Sequence, residues 1–348
     1  MYFLLKILFI FIFIANSCVE PYSIDFNQTF NVLVVEAELT NSDELQRIYI
    51  SNSQYINQNL LKEPILGLLV EVEINNNERF RLLDATDGSY IFPESFNPKI
   101  GDSFQLFFQK PTGQKYQSSV ETLVRSPEII KVYDLFELKG TKAFGKTVPS
   151  NNVFVDFKDT NQGQNYYNWT WTLWEKQNVC FSNDFYDLYC EKECYEILQS
   201  QEIAVFDDRF YDGKTVEGKI IAKIPYYQDK GALLEIKQNA ISAEAYSFYK
   251  QLQDLTQNNG TFADTPPQII GGNITCVSDP NEIVVGMFMV KGIQSIYYWL
   301  DRKNAFGKAN PIGLLGRQVQ PPKGGGNLTA ACLTLKNRTP VKPLNWME

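Results

Sequence analysis

Short runs in which apolar and polar residues alternate fill the first third of the chain. Residues 68–74 read Leu-Leu-Val-Glu-Val-Glu-Ile, and residues 104–108 alternate in the same way. A period of two is the pattern of a β-strand with one buried face. Turn signals such as Asp87-Gly88 separate the runs. Roughly seven short strands at regular spacing predict an antiparallel, immunoglobulin-like β-sandwich over residues 30–126.

The sequence changes character at Ser126-Pro127, which we interpret as a domain boundary. Residues 127–348 predict a second β-rich domain with a loop-rich C-terminus, where Gly324-Gly325-Gly326 interrupts any regular pattern. Apolar runs of strand length recur in this part of the chain. They are residues 153–157, 167–174, 203–206, 219–224, 232–238, 282–290 and 293–300.

One stretch, near residues 242–257, follows a helical pattern. Ser242 suits the N-cap position, and Glu244 places a carboxylate in the first turn, where the helix dipole favours negative charge. Apolar side chains recur with helical spacing at Phe248, Leu252 and Leu255. The sequence therefore predicts a mainly β protein: an N-terminal immunoglobulin-like β-sandwich followed by a second β-rich domain with one clear α-helix.

The first eighteen residues have the layout of an export signal. Lys6 lies in an apolar run that ends at Ile14. This run is too short to span a bilayer, which takes about 20 apolar residues. Small residues and then Cys18 follow, an order that resembles a bacterial lipoprotein signal whose cysteine is acylated, for example with palmitate. We expect a signal peptide at residues 1–17, lipidation of Cys18 and a tether over residues 18–29. A plain secretory signal with an ordinary Cys18 is the alternative.

The composition excludes several classes of function. A formal net charge of −8 makes the chain a poor partner for nucleic acid, whose binding depends on Lys and Arg at phosphates. The chain contains no histidine, which removes Ser-His-Asp and Cys-His catalysis and metal sites with imidazole ligands. We therefore expect a binding or structural protein that is not an enzyme and uses no cofactor.

The cysteines predict disulfides, since an exported chain meets an oxidising compartment. Beyond Cys18 the chain has Cys180, Cys190, Cys194, Cys276 and Cys332. The first three fall in a polar, aromatic stretch that we interpret as a loop over residues 178–194, and one bridge there would close it. A Cys276–Cys332 bridge is the second expectation. Metal binding by the cluster is the weaker alternative, because the spacing is not that of paired C-x-x-C motifs.

Asp207, Asp208 and Asp212 form the densest group of carboxylates. Three carboxylates in a short loop are hard oxygen ligands that suit calcium, although the spacing is not that of an EF-hand. The preferred interpretation is a solvated hairpin turn at Asp212-Gly213, because Asp-Gly is a strong turn signal.

Tyr167, Trp169 and Trp171 share one face of a predicted strand. Such a face can stack on sugar rings and so bind a glycan. More often a stripe of large aromatics is part of the core, and we prefer that interpretation.

Several short stretches occur in an order that resembles a known family. They are Val34-Val35-Glu36, Leu39-Thr40-Asn41, Asp87-Gly88-Ser89-Tyr90, residues 208–213, residues 245–249, Gly272-Asn273-Ile274, Asp279-Pro280, Gly286-Met287-Phe288 and residues 342–346. The ordered set is similar to the Bacteroidota lipoproteins classed as a domain of unknown function, number four-two-four-nine. That family often has a cysteine pair before a terminal Lys-Pro-x-x-Trp. Here only Cys332 is present, so the resemblance makes Cys276 its expected partner.

The resemblance implies an outer-membrane lipoprotein, commonly encoded beside TonB-dependent receptors, with no catalytic residues to transfer. We therefore expect a lipid-anchored, non-enzymatic accessory subunit of an outer-membrane β-barrel complex. A TonB-dependent transporter is the expected partner, with substrate capture or barrel capping as the role. The alternatives are an extracellular structural subunit of an outer-membrane protein assembly machine, or a glycan-binding surface lipoprotein; the ligand would be a glycan or a peptide. Glu20 favours a cell-surface location, because acidic residues after the lipidated cysteine resemble surface-export signals.

Overall fold

The computed structural model describes residues 31–56, 59–161, 163–182, 189–256, 270–313, 328–329, 332 and 334–347. The expected signal peptide, Cys18 and the tether lie outside the described residues. Within them the chain is mainly β with one α-helix, which confirms the predicted fold class. No helix in the described part of the chain has the length and apolar character needed to cross a membrane.

The bounds of the elements are as follows. The strands are β1 (Asn31–Thr40), β2 (Arg47–Ile56), β3 (Asn59–Pro64), β4 (Leu69–Ile74), β5 (Glu78–Arg81), β6 (Leu83–Asp84), β7 (Ser89–Ile91), β8 (Ser103–Gln109), β9 (Lys115–Ser118), β10 (Glu121–Thr122), β11 (Ile129–Ala143), β12 (Lys146–Lys158), β13 (Tyr166–Ser182), β14 (Tyr189–Gln199), β15 (Ala204–Asp207), β16 (Thr215–Pro225), β17 (Ala232–Ile241), β18 (Ile274–Cys276), β19 (Val284–Leu300), β20 (Leu328–Thr329) and β21 (Arg338–Thr339). The helix is α1 (Ala243–Thr256).

The strands form three sheets. The largest has 12 strands in the order β21-β14-β13-β17-β19-β1-β2-β7-β6, with β15 and β20 also paired to β13 and β3 paired to β2. A six-stranded sheet runs β18-β9-β8-β4-β5, with β10 beside β8, and a three-stranded sheet runs β11-β12-β16. The large sheet extends through both halves of the molecule, and each smaller sheet covers one half of it.

The first core lies between the six-stranded sheet and the β1, β2 and β7 part of the large sheet. Alternate residues of β8 are buried there, as the period of two predicts. Residues from β18 and the first half of β19, such as Ile274 and Phe288, complete the same core. The N-terminal sandwich therefore includes residues that come late in the chain. A domain boundary at Ser126-Pro127 would assign these residues to the second domain.

Strand β19 passes from the first core to the second. Its first half pairs in parallel with β1, from Leu33 opposite Val284 to Thr40 opposite Lys291. Its second half pairs antiparallel with β17. The apolar runs 282–290 and 293–300, predicted as two separate strands, form the single strand β19, because the chain continues through Lys291-Gly292 without a turn. Gly292 instead lets the backbone near Val124 approach β19 closely, since a Cβ atom there would lie 1.7 Å from the Val124 carbonyl oxygen.

The second core lies between the three-stranded sheet and the β13, β17 part of the large sheet. Helix α1 follows β17 and begins as predicted, since the Ala245 amide donates to Ser242 Oγ at 3.1 Å. Its Ala245, Phe248 and Tyr249 pack near Met287 and Met289 of β19. The helix thus covers the sheet close to the join between the two cores.

The disulfide partner of Cys332 differs from the expectation. Cys194 is bonded to Cys332, and Cys276 is a free, buried cysteine. The expected Cys276–Cys332 bridge is wrong because Cys276 lies in β18 and faces the first core, whereas Cys332 lies beside β14 of the other half. The stretch interpreted as a loop is largely strand, with β13 and β14 covering all but residues 183–188. The side chains of Cys180 and Cys190 lie outside the described residues.

Candidate functional site

Three carboxylates, which we call the acidic cluster, converge at one end of the second core. Asp159 directly follows β12, Asp208 follows β15, and Asp212 lies in the turn that leads into β16. One carboxylate oxygen from each residue lies within 4.8 Å of the other two. Backbone hydrogen bonds hold the segments together, from the Asp159 amide to the Lys214 carbonyl at 2.9 Å and from the Asp208 amide to the Asn165 carbonyl at 3.2 Å.

Asp159 is buried, and both of its carboxylate oxygens accept a hydrogen bond. The Tyr167 hydroxyl donates to Oδ1 at 2.5 Å, and the Gly213 amide donates to Oδ2 at 2.9 Å. Gly213 has a φ of +68°, and a Cβ there would come within 3.0 Å of Asn161 Cβ. Glycine is therefore required at the position that brings this amide to Asp159.

Asp208 is fully shielded from solvent, with a relative exposure of 0%. Its Oδ2 accepts from Asn165 Nδ2 at 3.0 Å, but its Oδ1 has no hydrogen-bond partner. Among the described residues, no Lys or Arg lies within ion-pair distance of Asp159, Asp208 or Asp212. A buried carboxylate without a counter-charge is costly, so the acidic cluster is a candidate site for a bound cation.

Burial dominates the electrostatics of the acidic cluster. It raises the pKa of the Asp159 carboxyl, and the neighbouring Asp208 carboxylate raises it further. Burial also raises the pKa of the Tyr167 hydroxyl, to which the hydrogen-bonded Asp159 adds. Tyr167 is therefore a fixed donor to Asp159 over the whole physiological range.

The predicted calcium ligands are only partly brought together. Asp208 and Asp212 belong to the acidic cluster, but the last residue of β15, Asp207, does not. Its Oδ1 accepts from Arg209 Nε at 2.7 Å, and its Oδ2 accepts from the Tyr246 hydroxyl at 2.9 Å. The preferred interpretation of a turn at Asp212-Gly213 agrees with the structure, in which the Lys214 amide bonds back to Tyr211.

Asp159 is the ligand candidate that sequence reasoning missed. It lies far along the chain from Asp208, and the two meet only because β12 and β16 pair and end at the same edge. The local sequence Asp159-Thr160-Asn161 signals a polar turn but gives no sign of a partner.

The aromatic stripe is core. Tyr167 and Trp169 are each 1% exposed and pack against Phe157, and the Trp169 indole donates to Gln238 Oε1 at 3.1 Å. Trp171 is half-buried against the same core. A glycan platform made from this face is therefore wrong for Tyr167 and Trp169, because neither ring can reach a ligand, and the preferred core interpretation holds.

A different surface exposes apolar side chains. Strand β11 is 15 residues long and lies at the edge of the three-stranded sheet, where β12 is its only strand partner among the described residues. Ile130, Leu135 and Leu138 along it are each about half exposed or more, at 61%, 55% and 48%. Phe144 at its tip and the nearby Phe306 are also exposed. We call this surface the β11 edge. Apolar side chains beside unpaired strand backbone are typical of interaction sites.

The family described as Domain of unknown function (DUF4249) matches residues 19–296. The chain belongs to the DUF4249 family. The match covers the whole first sandwich and most of the second core, including the acidic cluster and strand β11, and it confirms the family prediction made from the short stretches. No curated protein matches the sequence. The description of the DUF4249 family names no activity, so the predicted lipid anchor, membrane location and partner stay predictions.

Proposed function

We propose that this DUF4249 protein is a lipid-anchored, non-enzymatic accessory subunit of an outer-membrane β-barrel complex. The expected partner is a TonB-dependent transporter. The protein would help this transporter to capture its substrate, or it would cap the barrel. The sequence supports this through its leader, which ends at Cys18, and through the lack of histidine. Acylation would hold the protein at the membrane surface, where it meets an embedded partner at high local concentration.

The β11 edge is the structural observation that carries the proposal. Fifteen residues of strand span about 50 Å, and the outer side of β11 has no strand partner among the described residues. A strand or extended loop from a partner can add to such an edge through main-chain hydrogen bonds. The exposed Leu135 and Leu138 would supply apolar contact area on the same surface.

Charged residues along the β11 edge would oppose self-association through this surface. Four charged residues lie among the apolar positions and are exposed: Lys131, Glu137, Lys139 and Lys142. Lysines on an edge strand oppose pairing with other copies of the same strand, because like charges would be brought together. The edge is therefore selective for a partner whose charges complement it.

Affinity purification from the native host tests the proposal. A C-terminally tagged chain should retain a TonB-dependent barrel, and the double variant Leu135→Glu and Leu138→Glu should lose most of it. Leu45→Glu is the matched control, since Leu45 is equally exposed but lies on the other half of the molecule. Recovery of an assembly-machine barrel would select the structural alternative, and recovery of no barrel would refute the proposal.

The anchor is tested separately. Cys18→Ser should move the protein from the membrane fraction to the soluble fraction, because the acyl chains supply the membrane affinity. If this variant stays in the membrane fraction, lipidation at Cys18 is wrong. Protease treatment of intact cells then reports whether the body faces the outside.

A further inference from the structure

We propose that Asp159, Asp208 and Asp212 bind a calcium ion, a property separate from the proposed docking function. Two independent observations carry the inference. One is the convergence of three carboxylates from three segments of the chain within 4.8 Å. The other is Asp208 Oδ1, a fully buried oxygen without a hydrogen-bond donor.

The ligand set selects a hard cation. All three candidate ligands are carboxylate oxygens, and neither cysteine nor histidine contributes. Calcium takes 6–8 oxygen ligands at about 2.3–2.6 Å, so oxygens on opposite sides of the ion are about 5 Å apart. The spread of the acidic cluster fits inside that sphere. Magnesium keeps several waters and uses one or two carboxylates in proteins, which suits this set less well.

The neighbouring groups hold the carboxylates in place and leave room for coordination. Asn165 Nδ2 donates to one oxygen of Asp208, which leaves Oδ1 as the free ligand. The two donors to Asp159, Tyr167 and Gly213, each use one lone pair, and each carboxylate oxygen keeps another. Asp212 is exposed, so an ion can enter from solvent, and water can complete the shell.

Bound calcium would offset the charge of two buried carboxylates that no Lys or Arg of the described chain neutralises. It would also tie the end of β12 to the turn between β15 and β16. The competing arrangement is a proton shared between Asp159 and Asp208, and this predicts no response to calcium. The two arrangements are therefore separable by experiment.

Thermal unfolding of the purified full-length protein is the first measurement. After treatment with EDTA and dialysis at pH 7.5, 5 mM CaCl2 should raise Tm by about 4 °C if Kd is on the order of 10⁻⁴ M, a value of extracellular calcium modules. Magnesium at the same concentration should give less than half this shift. An equal shift with magnesium, or no shift with calcium, overturns the proposal.

Variants link the response to the acidic cluster. Asp212→Asn changes an exposed residue, so the protein should fold and should bind calcium at least ten-fold more weakly. Asp208→Asn should abolish the calcium shift. Asp207→Asn is the matched control, because Asp207 is the adjacent acid but bonds Arg209 and Tyr246, and it should keep the full shift.

Terbium luminescence supplies a readout that does not depend on stability. Tb³⁺ occupies calcium sites, and excitation of nearby Tyr167 should sensitise its emission, since this hydroxyl bonds a proposed ligand. Added calcium should displace Tb³⁺ and so reduce the emission. The emission should be weaker in Asp212→Asn than in Asp207→Asn. If Asp208→Asn raises Tm without calcium while terbium emission is the same in all three variants, the carboxylates share a proton and bind no ion.

Discussion

Arg302 and Glu175 form an ion pair in which both side chains are completely buried. Arg302 Nη2 contacts Glu175 Oε1, and Nη1 donates to Oε2 at 3.0 Å, so the pairing is bidentate. Gln228 Nε2 also donates to Glu175 Oε2 at 2.6 Å. The pair links β13 to the segment that follows β19, at the far end of the second core from the acidic cluster.

Removing one member of this pair should destabilise the protein strongly. Glu175→Gln leaves the Arg302 guanidinium buried without its counter-charge, and we expect a loss of about 3–5 kcal/mol in the free energy of unfolding. Urea denaturation measures it. The double change of Glu175→Leu with Arg302→Met should cost less than Glu175→Gln alone, since no charge is then left buried. A larger loss in the double variant would contradict this account.

Glu121 should make stability depend on pH. The pKa of its carboxyl is raised from the ordinary 4.5 to about 7, mainly by burial and also by the nearby Glu244, against hydrogen bonds from Ser242, Asn273 and Ser119. Between these values the folded state holds a proton that the unfolded state has lost, so stability falls as pH rises from 4.5 to 7.

Glu121→Gln tests this pH dependence, because the amide stays neutral. At pH 8 the variant should be more stable than the wild type by up to about 3 kcal/mol, and at pH 4 the two should be nearly equal. The difference in Tm across a pH series is the measurement. Glu78→Gln, at an exposed position of β5, is the control and should follow the wild type. Parallel curves for Glu121→Gln and wild type would be inconsistent with the raised pKa.

The Cys194–Cys332 disulfide should stabilise the fold substantially, because its sequence separation of 138 closes a long loop. Cys332→Ala should cost about 3–5 kcal/mol. The double variant with Cys194→Ala should cost about the same, since the bond is already lost. Peptide mapping under non-reducing conditions checks the pairing directly, and a peptide that links Cys276 to Cys332 would refute it.

Gly292→Ala should disrupt the join between the two cores. The new Cβ would lie 1.7 Å from the Val124 carbonyl oxygen, which is backbone and cannot turn away. We expect a loss of about 2–4 kcal/mol, measured by chemical denaturation. Gly271→Ala is the control, because a Cβ there meets nothing within 4 Å, and it should be nearly neutral. Equal behaviour of the two variants would argue against a close approach at Gly292.

Local pattern predicted most of the individual elements. The alternation of apolar and polar residues predicts strand β8, and Ser242 with the apolar spacing predicts α1. Both signals depend on interactions within a few residues of the chain. The continuous strand β19 could not be predicted in this way. A glycine inside an apolar run suggests a turn, and only the folded structure shows that another segment packs closely against Gly292.

The site was predictable only in part, for the same reason. Asp208 and Asp212 are neighbours in sequence, but Asp159 joins them through the pairing of β12 with β16. The disulfide partner of Cys332 likewise depends on which half of the fold each cysteine occupies. The aromatic stripe was ambiguous for a different reason. Aromatic residues have the same spacing along a strand whether they face the core or bind a sugar.

The parallel pairing of β1 with β19 has a mechanical consequence. Eight residue pairs join the two strands, β1 leads back to the N-terminal segment, and β19 continues into the second core. A pull between the N-terminus and the second core therefore loads this ladder along its length, in shear. All of its hydrogen bonds must then yield together rather than open one by one. The β1–β19 ladder therefore lies on the path by which tension would pass from the N-terminal segment to the second core.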